Sequence, residues 1–276
     1  MVSMREVRLF VPLHCRCRIA HVCDTVCAMT TTMTPAPSPD PESPYTPRWM
    51  PSQFKGARAK LRRGPALEDY SLGETIANSV SNGVGAALAV AALVILVVTA
   101  VMHGGGVRLL AALAFGVPML LAFLMSTLYH ALPGETPKRV FKVLGHDFVF
   151  LYIAGAFTPY CVLSLEGSAT AMVVLGVVWL AAFAGILVES VWFSRPRWLP
   201  IAWCVAMCAA GFVVAPELQA VLMGAGWWLL VAAVICFAVG LVLYVFRRVP
   251  YLWFVSHLVV LGGSVCLFLS VVLFVI

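Results

Sequence analysis

Residues 76–102 read IANSVSNGVGAALAVAALVILVVTAVM, a continuous stretch without one charged side chain. A helix of about 20 apolar residues crosses the hydrocarbon core of a bilayer, and a segment in lipid must satisfy its backbone hydrogen bonds internally. The stretch therefore predicts a membrane-spanning α-helix. Similar runs follow along the chain, and the seven predicted spans are Ile76–Met102, Leu109–Leu132, Phe148–Leu165, Ala169–Phe193, Leu199–Ala215, Val221–Phe246 and Tyr251–Ile276.

The composition of the whole chain is that of a membrane protein. Of its 276 residues, 62% are hydrophobic and 11% are charged, and the mean hydropathy is +0.98. A soluble domain carries roughly a quarter charged residues, so the composition excludes a globular enzyme, a disordered chain and a nucleic-acid binder. The runs also lack the alternation of a transmembrane β-strand. We therefore predict an all-α, polytopic membrane protein of seven helices.

The basic residues predict the orientation of these spans. All but one of the 18 Lys and Arg residues lie in the amino-terminal tail or in the loops on its side of the membrane, and Arg108 lies on the other side. Cytoplasmic loops carry an excess of Lys and Arg. We predict that the N-terminus is cytoplasmic and the C-terminus is outside.

The first 73 residues differ from the rest of the chain. Six prolines fall between Pro35 and Pro47, and such a composition cannot bury enough apolar surface to fold alone. We predict a disordered, basic, Pro-rich cytoplasmic tail at residues 1–73, before a membrane domain at 74–276. Residues 1–32 contain two histidines and four cysteines whose spacing fits no standard zinc pattern. The alternative to a metal knuckle is that this stretch has no function, which a translation start at Met33 would explain.

Polar side chains recur at the predicted cytoplasmic ends of the spans. Glu74, Asn78 and Asn82 are spaced four apart, which places them on one face of the first span. Polar groups at membrane depth are costly, so their convergence indicates a pocket, although Glu189 taken alone fits an interfacial side chain with its tip in headgroups or water. The other members of this polar set are Ser126, His130, His146, Asp147, Glu189, Ser256 and His257.

This polar set suggests a metal site. Imidazole and carboxylate groups are ligands for zinc, and a metal at the membrane face could activate a water for hydrolysis. The alternative is a set of separate interfacial groups.

Several motifs make the chain recognisable. The run Glu74–Gly85 and the segment Ser126-Thr-Leu-Tyr-His130 resemble the opening and the second-span motif of the hemolysin III proteins, the bacterial branch of the progestin and adiponectin receptor family. The segments Ile153–Tyr160 and His257–Ser264 are similar to the signatures of that family's third and seventh spans, and Gly240 and Tyr244 fit its sixth. The resemblance covers Glu74 to Ile276. It implies a seven-helix protein of the bacterial plasma membrane.

The resemblance also implies a zinc ion near the cytoplasmic face. In the family, one His of the second span, two His of the seventh span and a water held by an Asp of the third span bind the metal. This chain retains His130 and His257 at matching positions. It has Trp253 in place of the other seventh-span histidine and Gly145 in place of the aspartate. Asn82 and Leu267 likewise replace histidines that are common in the family.

These replacements leave the third zinc ligand open. His146 is one candidate. Asp147 is another, although it lies two positions from Gly145 and hence about 200° around the helix axis. The alternative is a metal-free pocket in which His130 and His257 make ordinary hydrogen bonds and Trp253 fills the vacated volume.

Two functional classes follow from the resemblance, both with membrane lipids as partners. One is a zinc-dependent hydrolase of a lipid amide, as the family's similarity to ceramidases implies, with Ser126 and Asp147 as its candidate catalytic residues. The other is a non-enzymatic sensor of membrane lipids or receptor-like protein, or a membrane-perturbing protein as the hemolysin name implies. The loss of two metal-site positions favours the second class.

Overall fold

The computed structural model describes residues 71–192, 196, 198–222, 224–246 and 249–276, and within them the secondary structure is helical. Residues 1–70 of the tail predicted at 1–73 lie outside the described residues, whereas Leu72 and Gly73 belong to the first helix. Helix α1 begins at Leu72, because Ser71 and Glu74 form a capping box. The helices are α1 Leu72–Met102, α2 Gly106–Ala131, α3 Glu135–Ser164, α4 Ala169–Val191, α5 Leu199–Val221, α6 Ala225–Val245 and α7 Leu252–Phe274.

Each of these seven helices is long and apolar enough to cross a membrane, so the predicted seven-span, all-α fold is confirmed. Neighbouring helices pack along the chain from α1 to α4, α6 packs on α7, and α7 returns to α1. Short connections make successive helices run in opposite directions. Helices α1, α3, α5 and α7 therefore all begin at one end of the bundle, which we call the amino-terminal face.

Helix α3 begins well before the apolar run that predicted it. Its first residue is Glu135 rather than Phe148, so the charged residues Lys138, Arg139 and Lys142 lie on helical turns and not in a loop. Hydropathy marks the part of a helix at hydrocarbon depth, and polar turns of the same helix extend beyond that depth. The α-helix ends at Pro159, and a π-helical turn, Tyr160–Ser164, completes the span.

The bounds of α5 and α6 also differ from the apolar runs. Helix α5 extends to Val221 rather than ending at Ala215, with a break at Ala210. Glu217 lies in the last turns of α5. Its carboxylate accepts a hydrogen bond at 2.7 Å from the hydroxyl of Ser168, the N-cap of α4. Helix α6 begins at Ala225, since its N-cap Gly224 adopts a non-helical φ of 80°.

Serine hydroxyls hold α7 against α6 near both ends of the pair. Ser256 donates to the carbonyl oxygen of Gly240 at 2.8 Å, and Ser270 donates to that of Gly226 at 3.0 Å. The absence of side chains at these glycines lets the helices approach closely: a Cβ on Gly240 would lie 2.6 Å from Val260 Cγ2. This packing fixes the start of α7 beside the end of α6.

Candidate functional site

The structure brings His130 and His257 together at the amino-terminal face. His130 lies in the last turn of α2 and is 3% exposed, and His257 lies in the second turn of α7. Their ring centroids are 5.8 Å apart with an interplanar angle of 84°. The Nε2 atom of His257 is buried and has no hydrogen-bond partner among the described residues. Two imidazoles from opposite parts of the sequence therefore share one site.

Trp253 lies at the centre of this site. Its indole is 5.1 Å from the His130 ring and 5.8 Å from the His257 ring, on which it stacks at 21°. It also contacts Tyr129 at 6.2 Å and Tyr244 at 5.7 Å, all measured between ring centroids. We call these five residues the Trp253 cluster. It joins the ends of α2 and α6 to the start of α7.

The Trp253 cluster lacks the ligands of a zinc site. Catalytic zinc takes three protein ligands and a water, whereas the cluster supplies the imidazoles of His130 and His257 alone. An indole has an N–H donor and no lone pair for a metal. Across the described part of the chain, no three His, Cys, Asp or Glu side chains form a group that could hold a metal ion. The residues present therefore do not fit the zinc site that the family resemblance implies.

His146, a candidate third ligand, instead contacts a carboxylate of the next helix. Its Nδ1 atom lies 2.6 Å from an Oε1 oxygen of Glu189 near the end of α4. Glu189 is 2% exposed, which differs from the interfacial position that its sequence context suggested. Phe150 and Trp203 line a small cavity next to Glu189. The pair joins α3 to α4 through a hydrogen bond between side chains that are costly to bury alone.

The polar residues of α1 face the interior of the bundle. Asn78 and Asn82 are 1% and 2% exposed. The amide of Asn82 donates to the backbone oxygen of Asn78 at 2.8 Å, and Ser81 donates to the same oxygen at 3.1 Å. The side-chain oxygen of Asn78 is buried without a hydrogen-bond partner in the described structure. Asn78 is thus a second buried group that can accept a hydrogen bond from a ligand or water.

Glu74 links the starts of α1 and α7. One carboxylate oxygen accepts from the Ser71 backbone N–H at 3.0 Å and from its hydroxyl at 2.8 Å. The other oxygen accepts from the backbone N–H of Tyr251 at 2.9 Å. Tyr251 is the N-cap of α7 and has a φ of 60°, a left-handed conformation that is unusual for a residue with a side chain. Glu74 therefore stabilises the turn that leads to Trp253.

The remaining candidates lie on α2 and α3. Ser126 is half-buried one turn before His130 on α2, so the two share a face. Asp147 is 8% exposed on α3. A Cβ built on Gly145 would meet no atom within 4 Å, so this position could accept a side chain without a clash.

Two rings of the Trp253 cluster were not among the predicted site residues. Tyr129 precedes His130 in sequence and packs edge-to-face on it at 4.8 Å. Tyr244 comes from α6, and its contact with Trp253 depends on the close packing of α6 on α7. Sequence spacing could not reveal either contact, because ring stacking between helices leaves no local pattern.

Comparisons with known proteins give one consistent result. The family model described as Haemolysin-III related matches residues 70–269. Hemolysin-3 of Bacillus cereus is 33% identical over 203 residues, which cover 73% of this chain and 92% of that protein. The Hemolysin-3 homolog of Bacillus subtilis (strain 168) is 31% identical over 205 residues, which cover 74% of this chain and 96% of that protein. The residues matched by the family model contain helices α1 to α6, most of α7 and the Trp253 cluster.

Proposed function

Because the chain belongs to the hemolysin III family, we propose that it senses membrane lipids through a pocket at the amino-terminal face of its bundle. The family and the seven apolar helices make it a multi-pass protein of the bacterial plasma membrane. The ligand is a membrane lipid whose polar headgroup hydrogen-bonds to His257. The distribution of Lys and Arg residues supports a cytoplasmic location for this face.

The unsatisfied nitrogen of His257 carries this proposal. Buried polar atoms are nearly always hydrogen-bonded to protein or to ordered water, and leaving one without a partner costs about 1–3 kcal/mol. The Nε2 atom of His257 is buried close to the end of the helix bundle, and the described part of the chain gives it no hydrogen-bond partner. A hydroxyl, amide or phosphate group of a lipid headgroup at that depth would supply the missing partner.

A zinc-dependent hydrolase of a lipid amide is the competing hypothesis, and Ser126 and Asp147 would be its candidate catalytic residues. We favour sensing because the ligand set at the Trp253 cluster is incomplete. Membrane perturbation is a third possible activity, suggested by the name of the Hemolysin-3 relative. Each of the three activities gives a different result when lipids and membranes are measured directly.

The experiment compares three purified proteins, namely the wild type, His257→Ala and the control His103→Ala. His103 is an exposed histidine at the opposite end of α1. Lipids that remain bound after mild detergent extraction are identified by mass spectrometry. We expect one lipid class to be enriched in the wild-type and His103→Ala samples and depleted in the His257→Ala sample. Equal lipid content in all three would contradict the proposal.

A second experiment, on whole cells and on vesicles, distinguishes sensing from the other activities. Total membrane lipids are compared between cells that lack the protein, cells with the wild type and cells with His130→Ala. If the protein is a sensor, cells with the wild type and cells with His130→Ala have the same lipid composition. If it is a hydrolase, a lipid amide is depleted only in the cells with the wild type. Release of a dye from vesicles that contain the purified wild type would indicate membrane perturbation instead.

A further inference from the structure

Trp253 lies one turn before His257 on α7. Residues 253 and 257 lie four apart on α7 and therefore share one face. The family resemblance places a histidine at 253, where it would form a pair of ligands with His257. In this chain an indole, 8% exposed, fills that position.

The indole does not simply replace a ligand, because it packs against every other ring of the Trp253 cluster. It stacks on His257 and meets the rings of His130 and Tyr244 edge-to-face, at 77° and 79°. Edge-to-face and offset-stacked rings are the favoured arrangements of aromatic pairs. The two imidazoles thus pack on the indole in stabilising geometry.

The other ligands that could complete a metal site are not assembled there. The His146 Nδ1 atom is engaged with Glu189 at 2.6 Å, and Gly145 has no side chain. Within the helices that the structure describes, no group of three ligating side chains exists. Two imidazoles are fewer than the three protein ligands that zinc takes in catalytic sites.

We infer that Trp253 has converted the metal position into a metal-free aromatic cluster, in which His130 and His257 serve as packing and hydrogen-bonding groups. The wild-type protein therefore binds no stoichiometric zinc at this face. A single substitution, Trp253→His, creates a third imidazole in reach of the other two. This inference is independent of lipid recognition, since metal content is measured without reference to the bound lipid.

The test is a zinc titration of purified protein after dialysis against a chelator. Loss of an outer-shell partner of a metal ligand costs about 10–100-fold in affinity, and a direct ligand contributes at least as much. We therefore expect Trp253→His to raise zinc affinity by at least about tenfold over the wild type. The matched control Trp253→Phe removes the indole without adding a ligand and should show no gain.

Two double substitutions test the geometry of the created site. Adding His130→Ala to Trp253→His should abolish the gain, because the α2 ligand is then missing. Adding Gly145→Asp to Trp253→His should increase zinc affinity further, since position 145 has space for a side chain and the resemblance places an aspartate there.

Two results would overturn the inference. The first is a wild-type protein that carries stoichiometric zinc and loses it on His130→Ala. The second is a folded Trp253→His protein with the zinc affinity of Trp253→Phe, with folding checked by thermal unfolding in detergent. The first comparison needs no substitution at Trp253, so a failure of Trp253→His to fold still leaves the inference open to refutation.

Discussion

His146 Nδ1 lies 2.6 Å from Glu189 Oε1, and this contact joins the third and fourth helices through side chains 43 positions apart in sequence. It engages the imidazole that could otherwise have served as a third ligand beside His130 and His257. The three histidines of the predicted site are therefore divided between two places, the Trp253 cluster and the His146–Glu189 pair.

We expect Glu189→Ala to destabilise the protein, because it removes a buried carboxylate and leaves His146 without this partner. Hydrogen bonds to charged groups contribute about 1.5–3 kcal/mol, and the partial exposure of His146 reduces that figure. A double-mutant cycle with His146→Ala, measured by reversible unfolding in detergent, isolates the pair. A coupling energy of about 1 kcal/mol or more is expected, and additive effects would contradict the contact.

Glu74→Ala should loosen the start of α7 as well as the start of α1. The carboxylate caps α1 through Ser71 and also accepts from the Tyr251 N–H at 2.9 Å. The control Ser71→Ala removes the α1 cap while leaving the contact with Tyr251. Hydrogen exchange is the measurement. Faster exchange near Tyr251 is expected for Glu74→Ala alone, and the same increase in both variants would show that the contact does not hold α7.

Gly155→Ala should be among the most damaging small substitutions in the chain. A Cβ at Gly155 would clash with the Ala114 carbonyl oxygen on α2, so α2 and α3 would have to separate. Overpacking of a core typically costs about 1–3 kcal/mol, and a clash with backbone lies at the upper end. The matched control is Gly176→Ala, which meets nothing within 4 Å. Equal thermal stability of the two variants would contradict the packing of α2 on α3.

The orientation of the bundle is a separate prediction. An excess of Lys and Arg on the tail side predicts a cytoplasmic N-terminus and an outer C-terminus. Alkaline phosphatase fused after Ile276 should be active, and a reporter that works only in the cytoplasm should be inactive there. The reverse pattern would invert the topology and move the Trp253 cluster to the outer face.

The sequence was sufficient to predict the number of helices but not their ends. Apolar runs report the hydrocarbon core, so α3 was predicted from Phe148 although it begins at Glu135. The predicted fifth span ends at Ala215, before the polar turn around Glu217. The structure keeps this turn in α5, where Glu217 accepts a hydrogen bond from Ser168 of a different helix. Helix ends depend on caps and on such contacts between helices, which hydropathy does not record.

The candidate site was only partly predictable, because the sequence indicates how deep a residue lies in the membrane but not which residues of other helices it contacts. Topology placed His130 and His257 at one depth, and family motifs identified both. Depth does not specify which helices are neighbours, so the partner of His146 could not be predicted. The burial of Glu189 is not predictable from the sequence, because a carboxylate near a helix end is usually solvated and its partner, His146, lies on another helix.

The most direct test of the account is the proximity of His130 to His257 in the membrane. Both are changed to cysteine in a cysteine-free background and treated with a short bifunctional thiol reagent, since the native rings are 5.8 Å apart. The control pair combines His130→Cys with Val271→Cys, which lies about 21 Å further along α7 at 1.5 Å per residue. The account predicts an intramolecular cross-link in the first pair and none in the control. Failure of the 130–257 pair to cross-link, with both cysteines reactive towards a monofunctional reagent, would contradict it.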